Sequence, residues 1–351
     1  MTVVGGYQVE QFQFWALVLS VFICVHLWQI LFSGDRRAYN LGTMEKRTFG
    51  KTGFEVSPLG FGAGPIGYLK TDQQRIATIL NLLLDSGINA IDTAASYPGS
   101  EEAIGKSVGH RRKEYVLISK CGQAFDDLPG SAWSAEVVTA AVDRALKRLQ
   151  TDHLDVMLIH SCDLATLKKG EAIGALVKAR EAGKIRFAGY SGDNDALSYA
   201  AAHPEIAVIE TSINVADQTN IDGGVAIARK NNVGVIAKRP IANAGWKDAS
   251  DQHGIYANYA SEYHNRLKAM KLSPADLGFA GTPEQVWPEA ALRFTLSIPG
   301  VHTAIIGTTN PENAKANIAY ANKGPLPREA AEKIRQAFSQ AGVGKNWTGQ
   351  Q

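Results

Sequence analysis

Short apolar runs alternate with longer amphipathic segments along the chain from residue 56 onward. The short runs are rich in Val, Ile, Leu and Ala, and near-continuous apolar runs of this length are typical of strands buried on both faces. They lie at 57–63, 89–94, 115–122, 154–161, 185–192, 206–213, 233–240 and 302–308. The pattern therefore predicts eight buried strands.

Helix start signals occur between these runs. Polar N-cap residues and first-turn carboxylates satisfy the free backbone N–H groups of a helix start, and proline is favoured at the first helical position. The signals are Ser100 with Glu101, Ser134 with Glu136, Asp163, and Asn310 followed by Pro311. Alternating strands and helices imply parallel pairing, and eight such units over roughly 270 residues match the size of a (β/α)8 TIM barrel.

One segment near the N-terminus is far more apolar than the rest. Residues 14–32, FWALVLSVFICVHLWQILF, carry no formal charge. As a helix they would cover about 28 Å, close to the thickness of a bilayer's hydrocarbon core. We therefore expect an N-terminal segment, 1–43, with a transmembrane helix at 14–32, followed by a barrel at 44–345. Arg36 and Arg37 flank the helix on its C-terminal side, which predicts a single-pass anchor with a cytoplasmic-facing barrel.

Two other interpretations of residues 1–43 remain open. Met44 opens MEKRTFGKTG, a suitable beginning for the globular part, so the preceding residues could result from a wrongly assigned start codon. The protein would then be cytosolic. A cleaved signal peptide fits less well, because the leader before the apolar run contains no Lys or Arg.

Charge and cysteine content narrow the functional classes. The 36 Lys and Arg residues nearly balance the 34 Asp and Glu residues, giving a net charge of +2. This balance argues against nucleic-acid binding, which normally requires a basic surface. Cys24, Cys121 and Cys162 form neither a CxxC motif nor an even-numbered set, so we expect no disulfide framework and no metal site.

Charged and polar side chains end five of the predicted strands. They are Asp92, Lys120, His160, Glu210 and Lys238. A single charge at a strand end is usually a solvated cap. Five on different strands would converge on one cavity, because a TIM barrel gathers its active site at the C-terminal ends of its strands.

These residue types favour proton transfer over nucleophilic or metal chemistry. Tyr97, whose ordinary pKa is about 10, needs a nearby cation to exchange protons in turnover. Lys120 could supply that cation, Asp92 could hold the ammonium, and His160 could donate a hydrogen bond to a substrate carbonyl. Such a set suits protonation of an oxygen whose carbon receives electrons from elsewhere, which predicts a hydride donor.

The motifs DTAASY, ISK and LIH, at the ends of consecutive strands, resemble the Asp-Tyr-Lys-His tetrad of the aldo-keto reductases. On this resemblance the catalytic residues are Asp92, Tyr97, Lys120 and His160, with Tyr97 as the general acid. KRTFGKTGFEVSPLGFG resembles the first segment of that family, and IIGTTNPENAKAN resembles its cofactor-binding strand, loop and helix.

The resemblance runs from Met44 to about residue 325 and implies a TIM barrel without a Rossmann domain. It also implies NAD(P)H bound across the barrel mouth and reversible reduction of an aldehyde, ketone or sugar. The cofactor-binding residues that it implies are Ser191, Gly192, Glu210, Lys238, Arg239, Pro240, Gly307, Thr308, Thr309, Asn313 and Asn317.

Several of these positions depart from the usual family pattern. Gly192 stands where Asn usually follows Ser, Glu210 stands where Gln is usual, and Lys238 stands where an aromatic residue often stacks on the nicotinamide. Gly307 and Asn313 replace the Lys and Arg that grip the 2'-phosphate in many members. NADPH is the expected cofactor, with NADH as the alternative.

Two further features lie near the predicted barrel mouth. The stretch GAGPIG, residues 62–67, fits the GxGxxG pattern of dinucleotide-binding folds, but Pro65 lies inside it and the next strong helix start follows Thr71 and Asp72. We therefore expect a flexible first βα loop beside the cofactor. Aromatic residues in loops could line an apolar substrate pocket or merely pack the loops, namely Tyr68, Trp133 and Trp246.

The sequence thus predicts an NAD(P)H-dependent oxidoreductase with a small-molecule carbonyl substrate. The alternative is a cofactor-binding sensor or auxiliary subunit of a membrane complex with little turnover. The complete tetrad favours the enzyme, because a module that only binds would not need all four groups.

Overall fold

Eight parallel strands close into a barrel in the computed structural model, which describes residues 44–248 and 257–350. All eight strands that the apolar runs predict are present, and each lies within its predicted range. They are β1 (Leu59–Gly62), β2 (Ala90–Asp92), β3 (Val116–Cys121), β4 (Leu154–His160), β5 (Ile185–Ser191), β6 (Ile206–Ser212), β7 (Gly234–Lys238) and β8 (Thr303–Ile306).

The strands pair in chain order, and β8 pairs with β1 to close the barrel. At the C-terminal ends, His160 of β4 lies opposite Ser191 of β5, and Ser191 lies opposite Glu210 of β6. Ser212 of β6 lies opposite Lys238 of β7. This register brings the polar strand ends to the same rim.

Helices follow the strands on the outside of the barrel. They are α1 (Gly64–Tyr68), α2 (Gln73–Asp85), α3 (Ser100–Val108), α4 (Ala135–Leu149), α5 (Leu164–Lys169), α6 (Glu171–Glu181), α7 (Asn194–Ala202), α8 (Ala226–Lys230), α9 (Ala257–Met270), α10 (Pro283–Ser297), α11 (Pro311–Asn322) and α12 (Arg328–Gly342).

Three of the predicted start signals cap their helices, whereas Ser100 is the first residue of α3 and its hydroxyl contacts Thr93 instead. The side chain of Ser134 accepts a hydrogen bond from the backbone N–H of Val137 at the start of α4. Asp163 accepts one from Thr166 at the start of α5, and Asn310 caps α11 ahead of Pro311. Each cap satisfies a backbone donor that the helix start leaves unpaired.

A short hairpin, Arg47–Thr48 paired with Glu55–Val56, lies at the N-terminal end of the barrel. Phe49, in its turn, is fully buried and belongs to a core cluster with Val116 and Val208. Gly234 accommodates this ring, because a Cβ there would lie 2.7 Å from a Phe49 ring carbon. The hairpin thus covers the end of the barrel opposite to the rim where the charged residues meet.

The GxGxxG stretch differs from the prediction of a flexible loop. Residues Gly64–Tyr68 form a short helix with Pro65 in its first turn, where the missing N–H and fixed φ of proline favour helix formation. Gly67 packs closely, since a Cβ there would approach the backbone of Tyr97 and Pro98 to about 2.9 Å. A barrel closed by β8 and β1 is also incompatible with a Rossmann sheet, which is open.

The predicted transmembrane helix at 14–32 lies outside the described residues and remains a prediction, as does the boundary between 43 and 44. Within 44–248 and 257–350, no helix is both long enough and apolar enough to cross a bilayer.

Candidate active site

Lys120 is the centre of a buried cluster at the C-terminal rim of the barrel. Its Nζ donates to both carboxylate oxygens of Asp92, each at 2.6 Å, and to the backbone oxygen of Thr93 at 3.0 Å. Oε2 of Glu210 lies 3.3 Å from the same nitrogen. Residues Asp92, Lys120 and Glu210 are each at most 2% exposed. Two carboxylates from β2 and β6 therefore flank one ammonium from β3.

Tyr97 lies above this cluster in the loop that joins β2 to α3. The hydroxyls of Thr93 and Ser100 are 2.9 Å apart and tie the two ends of the loop together. The backbone oxygen of Tyr97 accepts a hydrogen bond from the N–H of Ser100, the first residue of α3. These contacts hold the tyrosine with its ring centroid 5.3 Å from Lys120 Nζ, which is cation–π distance.

His160 is the last residue of β4, and its ring lies beside that of Tyr97. The two rings lie nearly perpendicular, with centroids 6.4 Å apart. The indole Nε1 of Trp133 donates to the backbone oxygen of His160 at 3.0 Å and fixes the end of the strand. Burial, followed by the charges of Lys120 and Lys238, lowers the pKa of His160 well below its ordinary value, which keeps the imidazole neutral.

The charges of the cluster act on one another. Burial is the main cause that raises the pKa of Asp92 well above its ordinary value; the charge of Glu210 adds to this effect and Lys120 opposes it. Burial lowers the pKa of Lys120, but the two carboxylates outweigh burial and hold that pKa above its ordinary value. Burial raises the pKa of Tyr97, while Lys120 acts to lower it. Lys120 therefore stays protonated beside a protonated tyrosine.

A cavity of about 690 Å³ opens above these side chains. Most of the sequence-predicted site residues line it, although Lys120 lies beneath its floor. The predicted residues in its lining are Tyr68, Asp92, Tyr97, His160, Ser191, Glu210, Lys238, Arg239, Pro240 and Gly307. Strand ends from all around the barrel thus contribute to one concave surface.

Two cations stand at one edge of the cavity. Lys238 Nζ lies 3.0 Å from Oδ2 of the buried Asp193. The guanidinium of Arg239 donates to the hydroxyl of Ser212 at 2.9 Å and to the backbone oxygen of Gln350. Arg239 also has a positive φ of 56°, a conformation that non-glycine residues rarely adopt and that concentrates at functional sites.

Other predicted cofactor residues are not among those that line this cavity. Gly192 follows β5, and its backbone N–H bonds to the backbone oxygen of Glu210. Thr308 and Thr309 follow Gly307 in the loop before α11, while Asn313 and Asn317 lie in the first two turns of that helix. Asn313 is exposed to solvent.

The three aromatic residues predicted for the substrate pocket have different positions. Tyr68 lines the cavity, and its ring lies 5.6 Å from that of Tyr97. Trp133 instead packs on Gly122 and bonds to the backbone of His160. Trp246 stacks on Trp287 with ring centroids 6.4 Å apart. Of the three, only Tyr68 belongs to the cavity lining.

Asp193 is the main site residue that the sequence reasoning missed. Its Oδ1 accepts hydrogen bonds from Thr211, Ser212 and Asn220. These bonds hold the carboxylate next to Lys238. Asp193 could have been recognised because it lies two residues after the end of β5, and charged residues end several other strands. Further lining residues follow or end strands in the same way, namely Gly62, Gly64, Pro65, Ser96, Gln123, Ser161, Ile241, Asn243, Ile305 and Ile306.

The cysteines near the barrel do not offer a reactive thiolate. Cys121 and Cys162 are buried, and burial is the main cause that raises the pKa of both thiols, to about 12 for Cys162. At neutral pH both are protonated and poorly nucleophilic. The chemistry that the cavity residues can perform is proton donation by Tyr97 and hydrogen bonding by His160.

Comparison with known proteins agrees with this geometry. The model of the aldo/keto reductase family matches residues 58–338. L-galactose dehydrogenase of Arabidopsis thaliana is 27% identical over 300 residues, covering 79% of this chain and 88% of the relative. The NADH-specific methylglyoxal reductase of Escherichia coli K12 is 24% identical over 327 residues, covering 84% and 100% respectively. An aldo-keto reductase from Bacillus halodurans, solved in its holo form, has a TM-score of 0.71 at 25% identity, covering 84% and 96%.

The matched region contains all eight barrel strands and all four residues of the Asp-Tyr-Lys-His cluster. The chain therefore belongs to the aldo/keto reductase family of oxidoreductases, which act on carbonyl compounds.

Proposed function

We propose that this protein reversibly reduces the carbonyl group of an aldehyde, ketone or sugar with a hydride from NADPH or NADH, and that Tyr97 is its general acid. The observation that carries the proposal is the buried ion pair beneath Tyr97, in which Asp92 fixes the ammonium of Lys120 against the tyrosine ring. A module that only binds a nucleotide has no need of a cation held in that position.

Tyr97 is suited to protonate an oxygen whose carbon receives a hydride. In its resting state it keeps its proton, because burial raises its pKa. When it gives up that proton, the phenolate forms beside Lys120, whose positive charge stabilises it. The two 2.6 Å bonds to Asp92 hold the ammonium in place, so little reorganisation is needed during proton transfer.

His160 is suited to orient the substrate. A neutral imidazole carries one N–H donor, and this ring lines the cavity beside Tyr97. A hydrogen bond from His160 and one from Tyr97 would hold the substrate oxygen between the two side chains. The carbonyl carbon would then face the cavity, where a hydride can reach it.

The cavity fits a nicotinamide cofactor in size and in chemistry. Lys238 and Arg239 are cationic residues at its edge, and the start of the twelve-residue helix α11 offers backbone N–H groups that attract phosphate. Gly307 is confined at the cavity wall, because a Cβ there would lie 2.3 Å from the backbone oxygen of Gly62. Ser191 and Glu210 would contact the nicotinamide end. When bound, this group supplies the hydride.

The relatives support a small carbonyl compound as substrate. L-galactose dehydrogenase is named for a sugar, and the methylglyoxal reductase is named for a small aldehyde and for NADH. The apolar face of Tyr68 and the polar groups of Gln123 and Asn243 in the cavity suit a small molecule with both characters. The substrate class that we propose is therefore small hydroxyaldehydes, oxoaldehydes and sugars.

The proposal is tested by a panel of aldehydes, ketones, quinones and sugars offered with NADPH and with NADH, following absorbance of the reduced nicotinamide. We expect consumption of the cofactor that depends on the carbonyl compound. Tight cofactor binding without turnover on any member of the panel would instead favour the sensor or auxiliary-subunit alternative.

A further inference from the structure

Glu210 is a buried carboxylate that lines the cavity and is only partly hydrogen-bonded. Its side chain is 3% exposed at the end of β6 and lines the cavity. Its Oε1 accepts a hydrogen bond from Ser191 Oγ at 3.2 Å. Its Oε2 is buried and has no hydrogen-bond partner within the described part of the chain. A buried acceptor without a donor is costly, and one that borders a cavity is in a position where a bound ligand can supply the missing donor or charge.

Lys120 does not satisfy that oxygen, although it is near. An ammonium has three N–H donors, and those of Lys120 are directed at the two oxygens of Asp92 and at the backbone oxygen of Thr93. Glu210 is 3.3 Å away and interacts with Lys120 through charge rather than through a hydrogen bond. Lys120 thus interacts with both carboxylates but, of the two, is hydrogen-bonded to Asp92 alone.

The remaining charged groups around the cavity have partners of their own. Lys238 Nζ lies 3.0 Å from Oδ2 of Asp193; within residues 44–248 and 257–350 that oxygen is also buried without a hydrogen bond, but Asp193 is not among the residues that line the cavity. Arg239 binds Ser212 and the backbone oxygen of Gln350. His160 is neutral. The carboxylate of Glu210 is therefore the negative group of this cavity whose charge is least matched by a hydrogen-bonded cation.

We propose that Glu210 makes the cavity prefer the oxidised, cationic nicotinamide over the reduced, neutral one, and so makes the bound reduced cofactor a stronger hydride donor to a carbonyl group. This inference rests on the proposed function. A ring that exchanges a hydride with a carbon whose oxygen lies at Tyr97 has to occupy this cavity, of which Glu210 forms a wall. Opposite charges in a buried site attract strongly because the effective dielectric constant is low.

The reaction that this preference favours on the enzyme is balanced as follows. The hydride would pass with its electron pair from the reduced cofactor to the carbonyl carbon, and the carbonyl oxygen would take the proton of Tyr97. The carbonyl compound is reduced to an alcohol while the cofactor is oxidised. The phenolate of Tyr97 regains its proton from solvent.

The test is the ratio of dissociation constants for oxidised and reduced cofactor, measured on the full chain by fluorescence titration for both the phosphorylated and unphosphorylated forms. Glu210→Gln removes the charge and keeps the shape. We expect it to raise the ratio of the oxidised to the reduced constant by roughly tenfold, the change expected from losing one buried charge interaction. Glu210→Asp, which retains the charge, should leave the ratio within about twofold of the unaltered protein, small beside a lost charge interaction.

Glu101→Gln is the matched control. Glu101 is 1% exposed and bonds to Ser119, but it is not among the residues that line the cavity. Its neutral variant should leave the ratio unchanged. Glu210→Met provides a second neutral side chain, so that the comparison does not depend on one variant folding.

A second readout is the pH dependence of turnover. The charge of Glu210 is one of the causes that raise the pKa of Tyr97, so removing it should move the alkaline limb of the pH profile to lower pH. A merely structural role for Glu210 would not move that limb.

The outcomes separate this inference from the proposed function. An unchanged ratio in folded Glu210→Gln and Glu210→Met, or equal weakening of both cofactor forms, would overturn the inference and leave the reductase intact. Failure of the unaltered protein to bind either form would overturn the proposed function and this inference with it.

Discussion

The charged side chains around Tyr97 are buried, and each is stabilised there by a specific partner. Lys120 is fully buried and depends on Asp92 and Glu210, while Lys238 depends on Asp193. Removing one partner of such a pair leaves an uncompensated buried charge, which is far more costly than losing a surface ion pair. At these positions, the most informative substitutions therefore remove the charge and keep the shape of the side chain.

Discrimination between the two nicotinamide cofactors should depend on a single position in α11. Asn313 is exposed in the first turn of that helix, near the predicted 2'-phosphate position. Asn313→Arg should tighten NADPH selectively, because a guanidinium binds a phosphate through two hydrogen bonds. Fluorescence titration of both reduced cofactors measures the effect. Asn322→Arg, the same change at the exposed last residue of the helix, is the control, and equal effects on NADH and NADPH would contradict the placement.

A half-buried histidine outside the site should make the fold sensitive to acid. His302 accepts a hydrogen bond from the backbone N–H of Val235, and burial is the main cause that lowers its pKa from 6.5 to about 4. Between these values the unfolded chain takes up a proton that the folded chain refuses, so the free energy of unfolding falls as the pH drops. Urea unfolding should show a shallower fall for His302→Gln than for the unaltered protein. The exposed His110→Gln should show the same fall as the unaltered protein, and parallel curves for both variants would refute this assignment.

Among the elements, the barrel strands were predictable because they are short apolar runs that end in polar residues. Each observed strand lies within its predicted range, and the caps Ser134, Asp163 and Asn310 begin their helices as expected. Local sequence determines these features. The helix Gly64–Tyr68 was not expected, because the fit of Gly67 against the backbone at Pro98 depends on contacts distant in sequence.

The contacts of the C-terminal segment could not be predicted from local sequence either. Gln350 N–H donates to Asp217, the backbone oxygen of Gln350 accepts from Ser212, and Gly349 exchanges two hydrogen bonds with Asn194. These partners are more than 100 residues away in sequence, so no local sequence pattern predicts the contacts. The role of Asp193, which touches this segment, was missed for the same reason.

Docking of this segment should contribute measurably to stability. A Cβ at Gly349 would lie 2.4 Å from the side-chain nitrogen of Asn220, so Gly349→Ala has to push the segment away from its partners. We expect a loss of about 1–3 kcal/mol in the free energy of unfolding, the usual range for buried hydrogen bonds left unmade. Denaturant unfolding measures it.

The matched control is Gly174→Ala in the middle of α6, where an added Cβ meets no neighbouring atom within 4 Å. That change should stabilise the protein by roughly 0.5–1 kcal/mol, since alanine is the better helix former. Equal effects of the two substitutions would show that the C-terminal segment is not docked as described.

For the whole molecule, the barrel and the preceding residues 1–43 should be separable. The barrel closes through β8 and β1, both of which lie after Met44, so its closure requires no strand from the preceding segment. A chain starting at Met44 should therefore fold and keep its kcat. If residues 14–32 insert into lipid, the full chain should pellet with membranes and resist extraction by high salt or carbonate, because ions do not screen apolar burial.

N-terminal sequencing of the native protein distinguishes the two origins of this segment. A mature chain beginning at Met44 would remove the anchor and leave the catalytic account unchanged. Loss of activity on deleting residues 1–43 would show that the boundary between the two parts has been misplaced.

The most direct test of the central claim is the turnover of Tyr97→Phe with a carbonyl substrate and reduced cofactor. The variant loses the phenolic proton and keeps the ring beside Lys120, so cofactor binding should stay near normal while kcat falls by a factor of about 10² to 10⁴, as for a lost general acid. Tyr115→Phe, which removes the hydroxyl of a buried tyrosine that is not among the cavity-lining residues, should leave kcat unchanged. A Tyr97→Phe enzyme whose kcat stays within about twofold of the unaltered protein, a far smaller loss than that of a general acid, would contradict the account.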